Sequence, residues 1–289
     1  MRYGLAESLL KKTYADTHHH HSRQGHRYIT QHWHRYVTIL ATLPPLTDKT
    51  RVLEVGASIL SVHLHKTYSC PVTVLYHELE NEWQHRFDQL GITAYPLELM
   101  RDSIPVENDS FDVILFNEVM EHFPLHPRFF MLQLFRKLSP RGELLLGVPN
   151  FATSEKRLQL LLGQNPQDQM DEQFIYYAHH REPVMDECVD LVNSCGGIVV
   201  EKRWCECDGD PAPLPVFKRL LFHLYRRRIH PLLHALIPGM RRYILIHAMK
   251  DQTCNHKQHA YTPPLSQTRE LARKYPSPTR VCRHSCPNT

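Results

Sequence analysis

Between Arg51 and Val148, short apolar runs alternate with segments of helical spacing, and that rhythm restricts the chain to a small set of folds. The first run, Arg51-Val-Leu-Glu-Val-Gly56, ends in glycine, as a buried strand does where it meets a tight turn. Val72 to Tyr76 and Ile92 to Leu97 are the next two strand candidates. Between them, Glu80 to Leu90 places Trp83, Phe87 and Leu90 on one helical face, and Gly91 ends it. Phe111 to Phe116 predicts a fourth strand. Pro127 to Leu138 predicts a helix, Ser139 to Gly142 a turn, and Glu143 to Val148 a fifth strand. Strands that alternate with helices predict a parallel α/β sheet with right-handed crossovers.

Outside this block the rhythm loosens. Residues 1–27 form a polar, His-rich segment without clear periodicity, and helices are expected from Tyr28 to Leu43, stopping at Pro44. After Pro149, helices are predicted at Ser154–Leu162 and Met185–Ser194, and a strand at Ile198–Trp204. A basic helical region, Phe217 to Leu236, then leads to a last strand at Tyr243–Ala248. The expected organisation is one domain over 28–250, with an acceptor-side insertion at about 151–184. The Pro-rich tail, 251–289, is poor in large apolar residues and is expected to be disordered.

Composition narrows the class further. With 42% hydrophobic and 22% charged residues the chain can bury a core, and its net charge of +4 is far from that of a nucleic-acid-coating protein. No run approaches the length of a membrane span, and the N-terminus lacks the apolar run of a signal peptide, so a soluble cytoplasmic chain is expected. The 8 cysteines are scattered without a Cys-x-x-Cys, which fits reduced thiols. The run His18 to His21 reads as a polar patch. Cys282, His284 and Cys286 lack a fourth ligand for zinc, so no metal site is assigned.

In a doubly wound sheet, ligands bind beyond the carboxyl ends of the strands where strand order reverses. The turn after the first strand, Leu53-Glu-Val-Gly-Ala-Ser58, has too few glycines for a dinucleotide fingerprint and no Gly-Lys-Ser for a P-loop. The stretches 52–58, Glu98 to Val106, Ser110 to Phe123 and Phe135 to Asn150 together resemble class I S-adenosylmethionine-dependent methyltransferases. Gly163 to Pro166, His179 to Glu182 and Cys195 to Val200 resemble a subgroup associated with cell-surface glycan and small-metabolite methylation.

The resemblance implies a Rossmann-like, doubly wound, seven-stranded sheet with its last strand antiparallel and helices on both faces. It implies S-adenosyl-L-methionine as cofactor and a small-molecule or glycan acceptor. Glu54 and Gly56, with Ala57 and Ser58 in the same turn, would contact the amino-acid end of the cofactor. Glu78 would bind the ribose, and Glu98 and Leu99 would flank the adenine. Asn117 and Glu118 would form the floor under the methionine moiety. Ser58 and Leu60 stand where the family turn has its later glycines. That departure motivates the alternative of a catalytically degenerate methyltransferase-like binding protein.

Each residue also has a plainer role. Glu54 would cap the following helix, Asp112 would be structural, and Glu118, Glu121 and His122 would form a solvated helix face. Candidate general bases are His180 and His122, with His179 beside them. No Asn-Pro-Pro-Tyr motif follows the fourth strand, so a nucleic-acid substrate is not expected. The basic segment 216–250, including Arg226, Arg227 and Arg228, reads as a packed helical connection. Its sharper reading is a weak peripheral contact with anionic membrane.

Overall fold

The computed structural model describes residues 2–17, 21–77, 81–99, 101–124, 126–167, 179–206 and 230–253. The expectations for His18 to His20, Glu78, Phe217 to Arg228 and the tail from 254 fall outside these residues. The chain forms one seven-stranded sheet in the order β3-β2-β1-β4-β5-β7-β6. The strands are β1 (Val52–Val55), β2 (Val72–Tyr76), β3 (Thr93–Pro96), β4 (Phe111–Asn117), β5 (Leu138–Pro149), β6 (Gly197–Cys205) and β7 (Tyr243–Lys250). β1 to β5 run parallel, and β7 is antiparallel to both β5 and β6. This is the Rossmann-like sheet with an antiparallel last strand.

The strands form where the sequence offers side chains for both faces of a covered sheet. In β4, Ile114 and Phe116 enter one buried cluster while Val113 and Leu115 enter the other. In β5, Leu144 and Leu146 face the first cluster and Leu145 the second, as the two-residue period requires. Helices α6 (Arg128–Lys137) and α8 (Met185–Ser194) cover the first face, with Phe130, Leu134 and Val192 buried there. Helices α3 (Trp33–Thr42), α4 (Ile59–Tyr68) and α5 (Asn81–Leu90) cover the second, through Leu40, Leu64 and Phe87. α7 (Ser154–Leu161) follows β5, and α9 (His230–Leu236) precedes β7.

Two sequence expectations change. The N-terminal segment carries helices α1 (Tyr3–Thr17) and α2 (Arg23–Gln31). The buried stripe of α1 is Ala6, Leu10, Thr13 and Thr17, which has helical spacing but is half threonine, so it looks polar in the sequence. Thr13 Oγ1 lies 2.8 Å from Nδ1 of buried His63 on α4, which gives the threonine a polar partner in the core. The turn at Ser139–Gly142 lies inside β5, whose pairing with β4 starts at Leu138 and shifts register before Glu143.

In the segment 216–250, residues 230–250 are described, and they fit the packed connection. Its described basic residues are already engaged within the protein. Arg242 pairs with Glu155 at 2.8 Å and Lys250 with Asp109 at 2.6 Å. Arg241 donates to the Trp204 carbonyl at 3.1 Å. Among the described residues, no helix is long and apolar enough to cross a membrane.

Leu10 is fully buried in the cluster that also holds Val37, Leu40, Leu60 and Leu64. Leu10→Ala should therefore cost about 2–5 kcal/mol of unfolding free energy, read by urea denaturation. A loss under about 0.5 kcal/mol, the value for a surface site, would place α1 outside the core.

Candidate active site

The strand order reverses between β1 and β4, so their carboxyl ends open the crevice in which such sheets bind ligands. At the end of β1, Gly56 has φ +88° and its amide donates to the Leu75 carbonyl at 2.8 Å. A Cβ there would come within 3.2 Å of Val119 Cγ2, so the turn after β1 passes tightly under the loop after β4. Ala57 and Ser58 complete this turn, and Ser58 caps α4 by accepting from the Leu60 amide at 3.1 Å.

Glu54 is buried, and its carboxylate bonds back into the same turn. Ser58 Oγ donates to Oε1 at 2.5 Å, the Ser61 amide donates to Oε2 at 3.1 Å, and the Ser61 hydroxyl also closes on Oε2. Burial pushes its carboxyl up to about 7, against the pull of those hydrogen bonds. Glu54 thus shapes the turn and caps α4.

The end of β4 is more unusual. Glu118 is a non-glycine residue at φ +56°, held by its amide to the Gly147 carbonyl at 2.9 Å. Gly147 has to be glycine, because a Cβ would overlap the Tyr243 hydroxyl and Asn117 Oδ1. Arg35, on α3, has only 3% of its side chain exposed and pairs with Glu118 Oε2 at 2.6 Å. Its guanidinium lies over the rings of Tyr36, Tyr28 and Tyr243 at 5.3, 5.7 and 5.8 Å, and it donates to the Tyr28 hydroxyl at 3.1 Å. Burial alone would lower Arg35, but Glu118 and the surrounding phenols hold it well above its ordinary value. Among the described residues, Asn117 Nδ2 and Glu118 Oε1 are buried atoms without a hydrogen-bond partner.

Glu121 and His122 follow in a 3-10 turn, Met120–His122. The expected solvated face is absent here: Glu121 is fully buried, and neither of its carboxylate oxygens has a partner among the described residues. Burial drives its carboxyl well above the usual carboxylate range, and the neighbouring Glu118 charge adds to this. His122 meets His179 edge-on, with ring centroids 4.9 Å apart. His179 Nδ1 lies 2.8 Å from Glu182 Oε1, and Lys156 closes on the other oxygen of Glu182. The Arg181 amide donates to the Glu121 carbonyl at 3.2 Å, which ties residues 179–182 to the β4 loop. Of the adjacent histidines, it is His179 that enters this cluster, and His180 lies half-buried beside it.

Glu98 and Leu99 stand beyond β3. Leu99 is buried, and the Glu98 carboxylate lies 3.5 Å from His77 Nδ1. The sequence reading named the turn after β1 and Asn117 with Glu118, and the fold brings these together at one crevice. It missed Arg35, Tyr28 and Tyr243. An arginine inside a helical apolar pattern reads as solvent-exposed, and only the excess of aromatic residues around it hinted otherwise.

The fold and crevice are those of a class I methyl-transferring protein, and the comparisons with known proteins agree. The methyltransferase domain family profile matches residues 26–183, more than half of the chain. The chain belongs to that family, whose class I fold uses S-adenosylmethionine as methyl donor. One similar structure is a chain of the complex between the Haloferax volcanii Trm112 methyltransferase activator and the putative methyltransferase. The TM-score is 0.55 at 15% identity, covering 79% of this chain and 94% of that one. Another is StiE O-MT, residues 961–1257, with TM-score 0.51, 16% identity, and 85% and 83% of the two chains covered. No curated protein matches the chain by sequence.

The burial of Glu54 generates a pH test. Its folded value of about 7 exceeds the ordinary 4.5, so its share of stability is present at acid pH and is lost as pH rises through about 7. Glu54→Gln should therefore gain on the wild type by up to about 3 kcal/mol between about pH 4.5 and pH 7.5, measured by denaturation at each pH. A difference that does not change with pH would show an ordinary, ionised carboxylate.

Proposed function

We propose that the chain methylates a hydroxyl of a small-molecule or glycan acceptor, with S-adenosylmethionine held in the crevice between the ends of β1 and β4. The observation that carries this reading is the pair of unpartnered buried atoms there, Asn117 Nδ2 and Glu118 Oε1. One is a donor and the other an acceptor, the pair that the carboxylate and ammonium of an amino-acid moiety need. The turn at Gly56, Ala57 and Ser58 lies at the same end of β1, close under the loop that carries Val119. Glu98 and Leu99 keep their expected role beside the adenine as part of the proposal. Glu78 keeps its expected ribose role as part of the proposal.

The sulfonium of the bound cofactor supplies an already activated methyl group. The protein's share is orientation, dryness and proton removal. The Arg35–Glu118 pair fixes the floor of the crevice, and Phe123 and Met120 behind it are buried. Fixing the acceptor in line with the methyl is worth roughly 7–11 kcal/mol of the barrier. A hydroxyl acceptor must also lose its proton, and His180, at the edge of the 179–182 segment, is the proposed base, with His122 the other sequence candidate. The alternative, a degenerate binding protein, is favoured only by the glycine-poor turn. That turn forms here with Ser58 as a helix cap rather than as a defect.

The test is transfer of labelled methyl from S-adenosylmethionine into panels of hydroxylated metabolites and glycans, read by mass spectrometry. The wild type should label a defined acceptor. His180→Ala should lower turnover by about 10²–10⁴-fold, with cofactor affinity nearly unchanged. Cofactor binding without labelling of any hydroxylated acceptor would overturn the acceptor class. Unchanged turnover would remove His180 as base.

A further inference from the structure

We infer that Glu121, His122 and His179 form a binding site for a first-row divalent cation, placed on the acceptor side of the cofactor crevice. One ligand atom from each of the three lies within 4.8 Å of the others. Metal–ligand bonds of about 2.0–2.2 Å draw such a set slightly together on binding. The second observation is Glu121 itself. It is fully buried, and both of its oxygens lack a partner among the described residues. A buried carboxylate left in that state costs free energy that coordination would recover.

Three further features fit. Glu182 holds His179 Nδ1 at 2.8 Å, the carboxylate–histidine arrangement that orients a metal-ligating ring and gives Nε2 the ligand role. Once Glu121 ionises to take a cation, it adds a third carboxylate to Glu118 and Glu182 against two cationic side chains, Arg35 and Lys156, so the bound charge would balance the cluster. The ligands also come from two segments that the Arg181 amide already fastens together at the Glu121 carbonyl.

One carboxylate and two imidazoles suit manganese, iron, cobalt or zinc better than magnesium or calcium. Three protein ligands leave open positions on the ion. The inference rests on the reading above, that the acceptor enters beside this loop, and it narrows the acceptor. Two open positions favour a hydroxyl with a neighbouring oxygen, which chelates the ion as a vicinal diol does. Coordination lowers the pKa of that hydroxyl. Its proton passes to His180. The new carbon–oxygen bond forms as the sulfur–carbon bond breaks, and S-adenosylhomocysteine leaves.

The test uses untagged full-length chain with His18, His19 and His20 replaced by Ser, so that the histidine run cannot contribute. After chelator treatment, Co²⁺ is titrated and followed by its visible absorption and by calorimetry. The expected result is one high-affinity site per chain and a raised melting temperature. Affinity should fall at least about 100-fold in Glu121→Gln and His179→Ala, and about 10–100-fold in Glu182→Gln through His179. Glu121→Gln removes an unpaired buried carboxylate, so the metal-free variant should melt no lower than the metal-free wild type, and it serves as the folded control. No saturable Co²⁺ site in the wild type would overturn the inference, as would equal affinity in folded Glu121→Gln. Parallel titration with S-adenosylmethionine separates the two readings. Cofactor binding without Co²⁺ binding removes only the cation site, whereas Co²⁺ binding without cofactor binding removes the methyl-transfer reading.

Discussion

A guanidinium with 3% of its side chain exposed has to be matched inside the protein, and Arg35 finds its match in Glu118. That one ion pair joins the N-terminal helices to the end of the central strand. Removing either partner would leave an uncompensated buried charge, a loss on the order of 3–5 kcal/mol. Glu118 therefore keeps a left-handed backbone that its residue type does not favour. From that fixed point the rest of the crevice follows. Asn117 turns inward, Val119 presses on the Gly56 turn, and Glu121 is carried into the interior.

The two faces of the sheet divide the work. On one, α1, α3 and α4 bury Leu10, Leu40 and Leu64 and bring Arg35 to the crevice. On the other, α6 and α8 hold β4 and β5 rigid through Phe130, Phe135 and Val192. The segment between β5 and α8 then lays His179 and Glu182 over the β4 loop. Site residues borne by strand ends and held by two packed layers keep their positions more closely than residues on free loops would.

The strands were legible because runs such as Val113 to Phe116 have no other stable place than a sheet covered on both faces. Helix α1 was not. Its buried positions include Thr13 and Thr17, whose hydroxyls are satisfied by His63 and by the helix backbone, a long-range fact that no local pattern carries. The Gly56 turn and Asn117 with Glu118 were legible from the ordered motifs around them. The burial of Glu121 was not, because the charged groups and the histidine it meets, Arg35, Glu182 and His179, all lie far away in the chain. The same limit hid Arg35, whose partner Glu118 stands four strands further along the chain.

The central claim is that the crevice below Arg35 and Glu118 receives S-adenosylmethionine. Calorimetric titration of the cofactor into the wild type and into Glu118→Gln tests it most directly, with a thermal melt confirming that the variant is folded. The account predicts one saturable site in the wild type. It predicts about 10–100-fold weaker binding in the variant, the loss of a charge-assisted hydrogen bond worth about 1.5–3 kcal/mol. Absence of saturable binding in the wild type, or undiminished affinity in folded Glu118→Gln, would contradict it.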